Sequence, residues 1–515
     1  YNGRFQANYS NKIQSIHNLS AIAGFEVKQY TSELRRHSLY GYNEEHALSA
    51  TIDYLTRFDL YYSNSTSSIP DNSSQSGKID RYISYYLNGS YGYLNRLFLN
   101  LSIRKDESNL FGVKPNQKGI PLWSIGGAWI VSNERFYKMD NWLTFLKVKA
   151  SFGYNGNVDK SVSAYLTAGY PGFLNNWQTM FAEIDNPPNP SLRWEKVKNI
   201  NTGIEFSLMS NRITGEFEYW IKEGIDLIGN SPVAPQSGMT VFRGNSANTR
   251  TTGLDISINS KNIDREVRWY TTLLITWMKD VVTSYKVKQG TNSDIVKSNY
   301  NNPLEGYPYY SLFSYRWGGL DTLGNPVGYL SEHTSTDYAK IRNSNDPSEL
   351  IYSGPAVPTF FGSMRNSISW RSLEFSFNVS YKFGYFFRRT SLSNSELYNG
   401  SYRQPDYALR WQQSGDEKTT NVPSLIYPTN FTRDEFYTYS EVLIEKADHI
   451  RLQDIRLSYT IKNEKLKHNN SKLSLYIYAN NLGLIWKANS YGIDPDFRSS
   501  IPTPKTVALG VKVDF

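Results

Sequence analysis

The sequence predicts an all-β fold, a transmembrane antiparallel β-barrel, and three observations support this. Apolar and polar residues alternate in runs of about ten residues, which matches a tilted strand crossing a bilayer. Tyr, Trp and Phe make up 15 % of the chain, and barrels concentrate Tyr and Trp at the two membrane interfaces. Short and long connections alternate along the chain, as turns and loops do on opposite sides of a barrel.

Composition excludes several other classes of protein. The mean hydropathy is −0.53, and no run of about 18 apolar residues is present, so the chain is not a helical membrane protein. Cysteine is absent, which excludes disulfides, thiolate metal sites and a cysteine nucleophile. The net charge of +8 comes from interspersed residues without a basic arm, so nucleic acid is not an expected partner. Basic loops would face either anionic lipopolysaccharide or solvent.

The last segment of the chain shows the alternation clearly. One face of the predicted strand carries apolar side chains and the other carries small or polar ones: Val507, Leu509, Val511 and Val513 against Ala508, Gly510, Lys512 and Asp514. The chain ends on Phe515, an aromatic residue suited to an interface girdle. An edge strand of a soluble protein would show the same alternation. The other segments must therefore decide between a membrane barrel and a soluble sheet.

The same pattern recurs along the whole chain. In one hairpin we expect six side chains to face lipid, namely Leu373, Phe375, Phe377, Val379, Tyr381 and Phe383. The residues between them, Glu374, Ser376, Asn378, Ser380 and Lys382, are expected to face the barrel interior. About fifteen strands are predicted in all, at 2–10, 17–29, 79–91, 95–104, 120–131, 144–153, 199–209, 212–222, 250–260, 267–278, 358–370, 372–384, 446–461, 472–483 and 504–515.

The whole chain, 1–515, is interpreted as part of one barrel domain. Its long extracellular loops are placed at 30–78, 155–198, 223–249, 279–357 and 385–444. Large bacterial transporters have about 22 strands, and single-chain barrels have an even number. Fifteen strands would leave two unpaired edges in lipid, so we expect about seven strands upstream, preceded by an export leader.

Several stretches resemble the SusC/RagA family of TonB-dependent outer-membrane transporters, in order and spacing over nearly the whole chain. They include Leu146 to Asn157 (LKVKASFGYNGN), Arg410-Trp-Gln-Gln-Ser-Gly-Asp416, the segment Ala447 to Tyr459 (ADHIRLQDIRLSY), and Tyr478-Ala-Asn-Asn-Leu482. The resemblance is to the C-terminal half of that family. It implies a 22-stranded barrel with an N-terminal plug supplied by an upstream segment or chain. It also implies coupling to the TonB complex and a SusD-like surface lipoprotein as a lid.

Aromatic residues beside polar ones in the long loops are the best candidates for ligand binding. Flat rings stack on sugar faces or peptide side chains, and neighbouring polar groups fix the orientation. The predicted substrate-binding residues are Trp177, Tyr307, Tyr309, Tyr310, Trp317, Phe386, Phe387, Tyr402 and Trp411. The alternative is that these rings pack the loops together or contact the lid protein.

No catalytic or metal-binding motif is present in the sequence. The six histidines are scattered without metal-ligand spacing, and no zinc-protease, nucleophile-elbow or phosphate-loop signature occurs. Asp494-Pro-Asp496 offers two carboxylates to a calcium ion, but a plain turn has the same composition. No cofactor is therefore expected.

Three functions compete at this point. The first is TonB-dependent import of an oligomeric nutrient, either glycan or oligopeptide. The second is a scaffold role for the same barrel in an outer-membrane assembly or secretion complex, and a plug and TonB box in the upstream part would argue against it. The third is a surface enzyme, which needs paired carboxylates on converging loops; the apolar outer stripes argue against that function.

Overall fold

Fifteen long strands form one antiparallel sheet, in which each strand pairs with the next one along the chain. The computed structural model describes residues 1–61, 65–109, 119–138, 142–157, 164–169, 177, 179–189, 192–232, 241–297, 300–400, 404–462, 472–498 and 500–514. The strands are β1 (Asn2–Ile13), β2 (His17–Arg36), β3 (Ser74–Tyr93), β4 (Leu97–Ser108), β5 (Gly119–Ile130), β6 (Leu143–Asn157), β7 (Glu195–Leu208), β8 (Ile213–Pro232), β9 (Val241–Asp264), β10 (Val267–Tyr285), β11 (Phe360–Trp370), β12 (Leu373–Phe383), β13 (His449–Lys462), β14 (Lys472–Lys487) and β15 (Thr506–Asp514). The predicted fold class is confirmed, and each predicted strand overlaps one of these.

The two faces of the sheet differ in chemistry as the alternation predicts. On β12, Phe375 and Phe377 pair in register with Leu457 and Ile455 of β13. Leu457 is 40 % exposed, and it belongs to an apolar patch that also includes Leu475, Ile477, Leu509 and Val511. The alternate residue Asn378 pairs instead with Asp454, which accepts a hydrogen bond from Arg365. An apolar outer face and a polar inner face are what a barrel needs between lipid and water.

Tight turns close the short connections. Gln14 and Ser15 have φ of 51° and 58°, and Leu94 and Asn95 have φ of 52° and 53°. Two successive residues with positive φ are typical of the hairpin turn whose twist matches that of the flanking strands. The connection between β13 and β14 falls at 463–471, outside the described residues. The long connections all emerge at the opposite end of the sheet.

The long connections contain helices and short hairpins of their own. The helices are α1 (Asn292–Lys297), α2 (Tyr338–Asn343), α3 (Asn394–Tyr398) and α4 (Phe431–Thr438), and the 3₁₀ turns are Val131–Asn133, Pro347–Glu349, Tyr407–Leu409, Asp416–Lys418 and Glu441–Leu443. The hairpins pair Arg57–Asp59 with Thr66–Ser68, Thr167–Gly169 with Glu183–Asn186, Ser311–Tyr315 with Leu350–Pro355, Gly328–Leu330 with His333–Ser335, and Phe386–Arg388 with Ile444–Lys446. No helix among the described residues is long and apolar enough to cross a membrane.

Aromatic rings cover glycines of neighbouring strands on the inner face. The indole of Trp220 on β8 lies over Gly253 of β9, and the phenol of Tyr476 on β14 lies over Gly510 of β15. A Cβ atom at either glycine would collide with the ring, so glycine is required for this close approach. Covering a strand glycine with an aromatic ring restores the packing that the missing side chain would leave open.

Candidate functional site

Charged side chains on the inner face pair with one another across neighbouring strands. Lys147 lies 3.0 Å from Glu205, and Lys149 is surrounded by Glu205, Glu216 and Glu218. Pairing compensates the charges, which is expected where ionic groups lie in a partly enclosed, low-dielectric interior. The inner wall is therefore polar and charged, suited to a hydrophilic solute or to polar protein surface.

The two longest connections fold together at one end of this wall into what we call the cap, the described residues of 286–359 and 384–448. Its hydrophobic core consists of buried side chains from both connections: Ile295, Val296, Phe313, Tyr315, Tyr338, Ile341, Leu350 and Phe436. Phe436 is fully buried, and its ring stacks on Tyr315 at 5.4 Å between centroids. Burial raises the pKa of Tyr338 to about 12. The cap is thus a packed unit with its own core.

A buried carboxylate links the two connections that form the cap. Glu435 on α4 accepts two hydrogen bonds from Arg342, at 2.8 and 2.6 Å, and one from Ser293 at 2.7 Å. Lys297 lies 2.8 Å from the same carboxylate. Burial by itself raises the pKa of Glu435, but the hydrogen bonds from Arg342, Lys297 and Ser293 outweigh it and lower that pKa. Glu435 is therefore ionised and fully paired at neutral pH.

Two buried arginines complete the polar interior of the cap. Arg433 donates to the carbonyl oxygens of Gly324 and Ser424 and to the Asn325 amide oxygen, at 2.9 to 3.1 Å. Arg389 pairs with Asp406, which also accepts a hydrogen bond from the Ser391 hydroxyl. Arg433 joins the two connections of the cap, and Arg389 closes a 17-residue segment within the second one, so both arginines help to fix the shape of the cap.

The segment after β14 is held to the barrel rim by a group of polar side chains, here called the rim cluster: Lys382, His449, Arg451, Asp494 and Asp496. Arg451 lies 2.6 Å from Asp494 and 3.1 Å from Asp496, and Lys382 lies 2.7 Å from Asp496. Burial by itself raises the pKa of Asp496, but His449 and Lys382 outweigh it and lower that pKa. The two carboxylates considered above as calcium ligands thus have cationic partners within the protein, and the absence of a cofactor stays a prediction. The described residues hold no group of three or more His, Asp or Glu side chains placed to bind a metal.

Several of the predicted binding residues pack inside the cap. Phe387 is 0 % exposed beside Tyr385 and Ala447, and Trp317 packs against the core through Phe436 and Tyr437. Phe386 lies over Gly354, and Trp411 lies over Gly324, where a Cβ atom would approach each ring to 2.5 Å. These four rings therefore contact other parts of the cap, and ligand binding by them stays a prediction.

The remaining predicted residues divide between the surface and one cavity. Tyr307 packs edge-on against Phe313 at 5.1 Å and keeps a partly exposed ring. Trp177 is 81 % exposed, and Tyr402 falls outside the described residues. Tyr309 and Tyr310 meet edge to face at 4.9 Å, and both line a cavity of about 730 Å³ at the inner wall. The structure therefore brings two of the nine together at an open site, and ligand binding by any of them stays a prediction.

Sequence reasoning missed the strand residues on the other side of this cavity, among them Trp220, Lys222 and Met278. The alternation in the predicted strand 212–222, where Glu216, Glu218, Trp220 and Lys222 fall on one face, is the signal that could have placed Trp220 and Lys222 on the inner face. What the sequence lacked was the register between β8, β9 and the segment 300–310, because that segment is far from both strands along the chain.

Residues 1–482 match the family described as TonB dependent receptor-like, beta-barrel. TonB-dependent receptor P26 of Formosa agariphila is 23 % identical to this chain over 100 % of the chain and 53 % of its own length. TonB-dependent receptor SusC of Bacteroides thetaiotaomicron is 23 % identical over 84 % of this chain and 44 % of its own length. The chain spans about half the length of the curated relatives it matches.

Among solved structures, the RagAB peptide transporter superposes with a TM-score of 0.77 at 19 % identity, over 100 % of this chain and 55 % of that chain. This likeness shows the fold. The resemblance to SusC and RagA, predicted from the motifs, is confirmed, and the relatives are receptors and transporters, not enzymes. Since the family match covers most of its length, the chain belongs to the TonB-dependent receptor family of outer-membrane β-barrels.

Proposed function

We propose that the chain is the barrel portion of an importer that carries oligomeric nutrients, either glycans or oligopeptides, across the outer membrane. The observation that carries the proposal is a polar, ion-paired inner wall lying beneath a folded cap. The polar wall suits a hydrophilic cargo, and the cap lies where cargo would first meet the barrel. No cofactor is part of the proposal.

Import against a gradient needs energy, and we propose that it comes from the TonB complex. Membership in the TonB-dependent receptor family supports this source. Within the described residues, β1 pairs only with β2, and β15 pairs only with β14. Unpaired strand edges are costly in lipid, so we propose that further strands close the barrel. A plug inside the barrel would complete the polar contacts of the inner wall.

A SusD-like surface lipoprotein is the proposed partner at the cap. Support comes from the relatives: one is named SusC, and a solved neighbour is described as the RagAB peptide importer in open-open and closed-closed states. Co-purification of the intact protein from its own outer membrane, followed by mass spectrometry, identifies the partners. A SusD-like surface lipoprotein is the expected result.

The Tyr309→Ala/Tyr310→Ala double variant tests the importer proposal. Both rings line the cavity and lie away from the outer face, so assembly should persist while uptake falls. Each stacked ring removed should cost about 1–3 kcal/mol of cargo binding, by analogy with interface hot spots. Growth on single oligosaccharides and peptides is measured beside the levels of other outer-membrane proteins.

The result also separates transport from the scaffold alternative. Slower growth on one oligomer with normal outer-membrane protein levels supports import. Deletion of the gene that leaves growth on every oligomer unchanged, while other outer-membrane proteins fail to assemble, would support the scaffold.

A further inference from the structure

The cavity of about 730 Å³ at the inner wall has two kinds of lining. One side comes from inward-facing residues of β8, β9 and β10, and the other comes from the cap segment 300–310. Its volume lies in the range of about 300–1,000 Å³ that is usual for pockets holding small ligands. The cavity is therefore large enough for one or two residues of a larger cargo.

Much of the lining is aliphatic or aromatic. Leu227, Ile228, Met278 and Val357 contribute aliphatic surface, and the Tyr309–Tyr310 pair contributes two rings at right angles. The Tyr309 backbone N–H donates to Asp280 at 2.8 Å, which holds the aromatic pair against the strands. A sugar ring carries hydroxyls around its edge, and aliphatic walls leave such groups without hydrogen-bond partners. An apolar amino-acid side chain meets no such penalty.

A lysine lies at the strand side of the cavity beside a fixed aromatic ring. The Lys222 ammonium is 4.8 Å from the centroid of the Trp220 ring. Trp220 is held by the hydrogen bond from its indole N–H to Asp255 at 2.8 Å. The Lys222 side chain is exposed. Among the described residues, no carboxylate lies within salt-bridge distance of its ammonium group. The ammonium is thus positioned by the ring and open to an anionic group.

The two carboxylates that line the cavity within the described part of the chain, Glu195 and Asp280, already accept hydrogen bonds from the protein. Glu195 accepts from the Ile228 backbone N–H and from the Asn157 side chain, both at 2.7 Å. Asp280 accepts from the Tyr309 N–H. A second cation, Arg243, also lines the cavity. This arrangement favours a ligand that combines an apolar group with a carboxylate.

We propose that this cavity is a peptide subsite, which takes an apolar or aromatic side chain against Leu227, Met278 and Tyr310 and a carboxylate of the same peptide at Lys222. The inference rests on the proposed import function and narrows its cargo from glycan or peptide to peptide. Neutral glycans lack both the apolar side chain and the anionic group.

Binding of three synthetic peptides to the intact protein, purified from outer membranes, tests the inference by calorimetry. The probes are a six-residue Gly/Ser peptide ending in Phe with a free carboxylate, its C-terminal amide, and the free acid ending in Ser. The Phe acid should bind about tenfold more tightly than either of the others, the size expected from one charge-assisted contact or one buried ring. Maltohexaose serves as the glycan probe.

Two variants assign these differences to the cavity. Lys222→Gln should abolish the preference for the acid over the amide, and Tyr310→Ala should reduce the preference for Phe over Ser. Lys279→Gln is the matched control: Lys279 is an exposed lysine of β10 paired with Thr252, the residue before Gly253, so it lies on the outer face. It should leave both preferences unchanged.

The outcomes separate this inference from the importer proposal. Equal affinity for acid and amide in the unmodified protein, absence of binding by every peptide, or tighter binding of maltohexaose would overturn the peptide subsite even if cells import oligomers. The purified protein could instead bind the peptides with the expected preferences while uptake by cells proves independent of energy. That combination would contradict only the importer proposal.

Discussion

At the scale of single residues, the cap depends on a few buried charges whose partners are all supplied by the chain. Glu435 is the clearest case, because it has two cationic partners and one hydroxyl donor. Removing one partner from a buried ion pair leaves an uncompensated charge, which costs more than the pair contributes. The stability of the cap should therefore be sensitive to this one carboxylate.

Glu435→Gln should destabilise the cap by about 3 kcal/mol, because Arg342 keeps its charge in a buried place without a counter-charge. Hydrogen–deuterium exchange of the backbone in α4 and in residues 338–343 measures the effect. Glu332→Gln is the control: Glu332 pairs with Arg316 at 2.9 Å but is 85 % exposed, and exposed pairs contribute about 0–1 kcal/mol. Equal exchange in the two variants would contradict the account.

The pH dependence of the cap and rim follows from Glu435 and Asp496. Both carboxyl groups have a lowered pKa in the folded protein, so their contribution is fully present above the unfolded-state pKa and is lost as pH falls through the folded value. The protection factors of the α4 amides, which are exchange rates corrected for the intrinsic rate at each pH, should therefore stay constant from about pH 8 to pH 5 and fall only below about pH 4. Cleavage of residues 488–498, measured relative to an unfolded reference peptide at the same pH, should likewise increase only below about pH 4. A transition near pH 6 would contradict this assignment.

At the scale of elements, the strands are defined by which face meets lipid. Phe377 lies on the apolar face of β12, and Asn378 lies beside Arg365 and Asp454 on the polar face. Phe377→Arg should cost about 2–4 kcal/mol near the midplane, while Asn378→Arg should cost less than about 1 kcal/mol. Denaturant unfolding of the intact barrel in lipid vesicles measures both. The reverse order would mean that the faces of this hairpin are exchanged.

The helix α4 should hold the cap together without supporting the barrel. Phe436→Ala removes a fully buried ring that contacts Tyr315, Trp317 and Tyr338, and such losses cost about 3–5 kcal/mol. Backbone hydrogen–deuterium exchange at residues 311–315 and 338–343 should become faster. The folded barrel should keep its resistance to heat, as judged by its migration in electrophoresis. Loss of that resistance would show that the cap and the barrel fold as one unit.

The strands were predictable because alternation is a local signal, but their full length was not. The segment 250–260 was predicted, whereas β9 extends from Val241 to Asp264, because its pairing with β8 and β10 continues after the apolar alternation ends. The cap core was not predictable: Tyr315 and Phe436 stack across more than a hundred residues of sequence, and helices of five to eight residues carry little periodicity. For the same reason the sequence did not show that Trp317 packs against Phe436 or that Phe387 packs beside Tyr385 and Ala447.

At the scale of the whole molecule, the chain combines a barrel wall and a cap with different roles. The outer face suits lipid, the inner face is polar and ion-paired, and the cap covers the end where the long connections emerge. The rim cluster ties the last long connection to β12 and β13. The cavity beside Lys222 and Tyr310 lies between the barrel wall and the cap.

The importer account is tested most directly by energised uptake in cells of the source organism. Fluorescently labelled oligopeptides and oligosaccharides are supplied to cells that carry the intact gene, to a deletion strain, and to the deletion strain with the gene restored, each with and without a protonophore. The account predicts uptake of at least one oligomer that is lost on deletion, returns with the gene and disappears with the protonophore. The account would be contradicted if neither the deletion nor the protonophore changed the uptake of any tested oligomer.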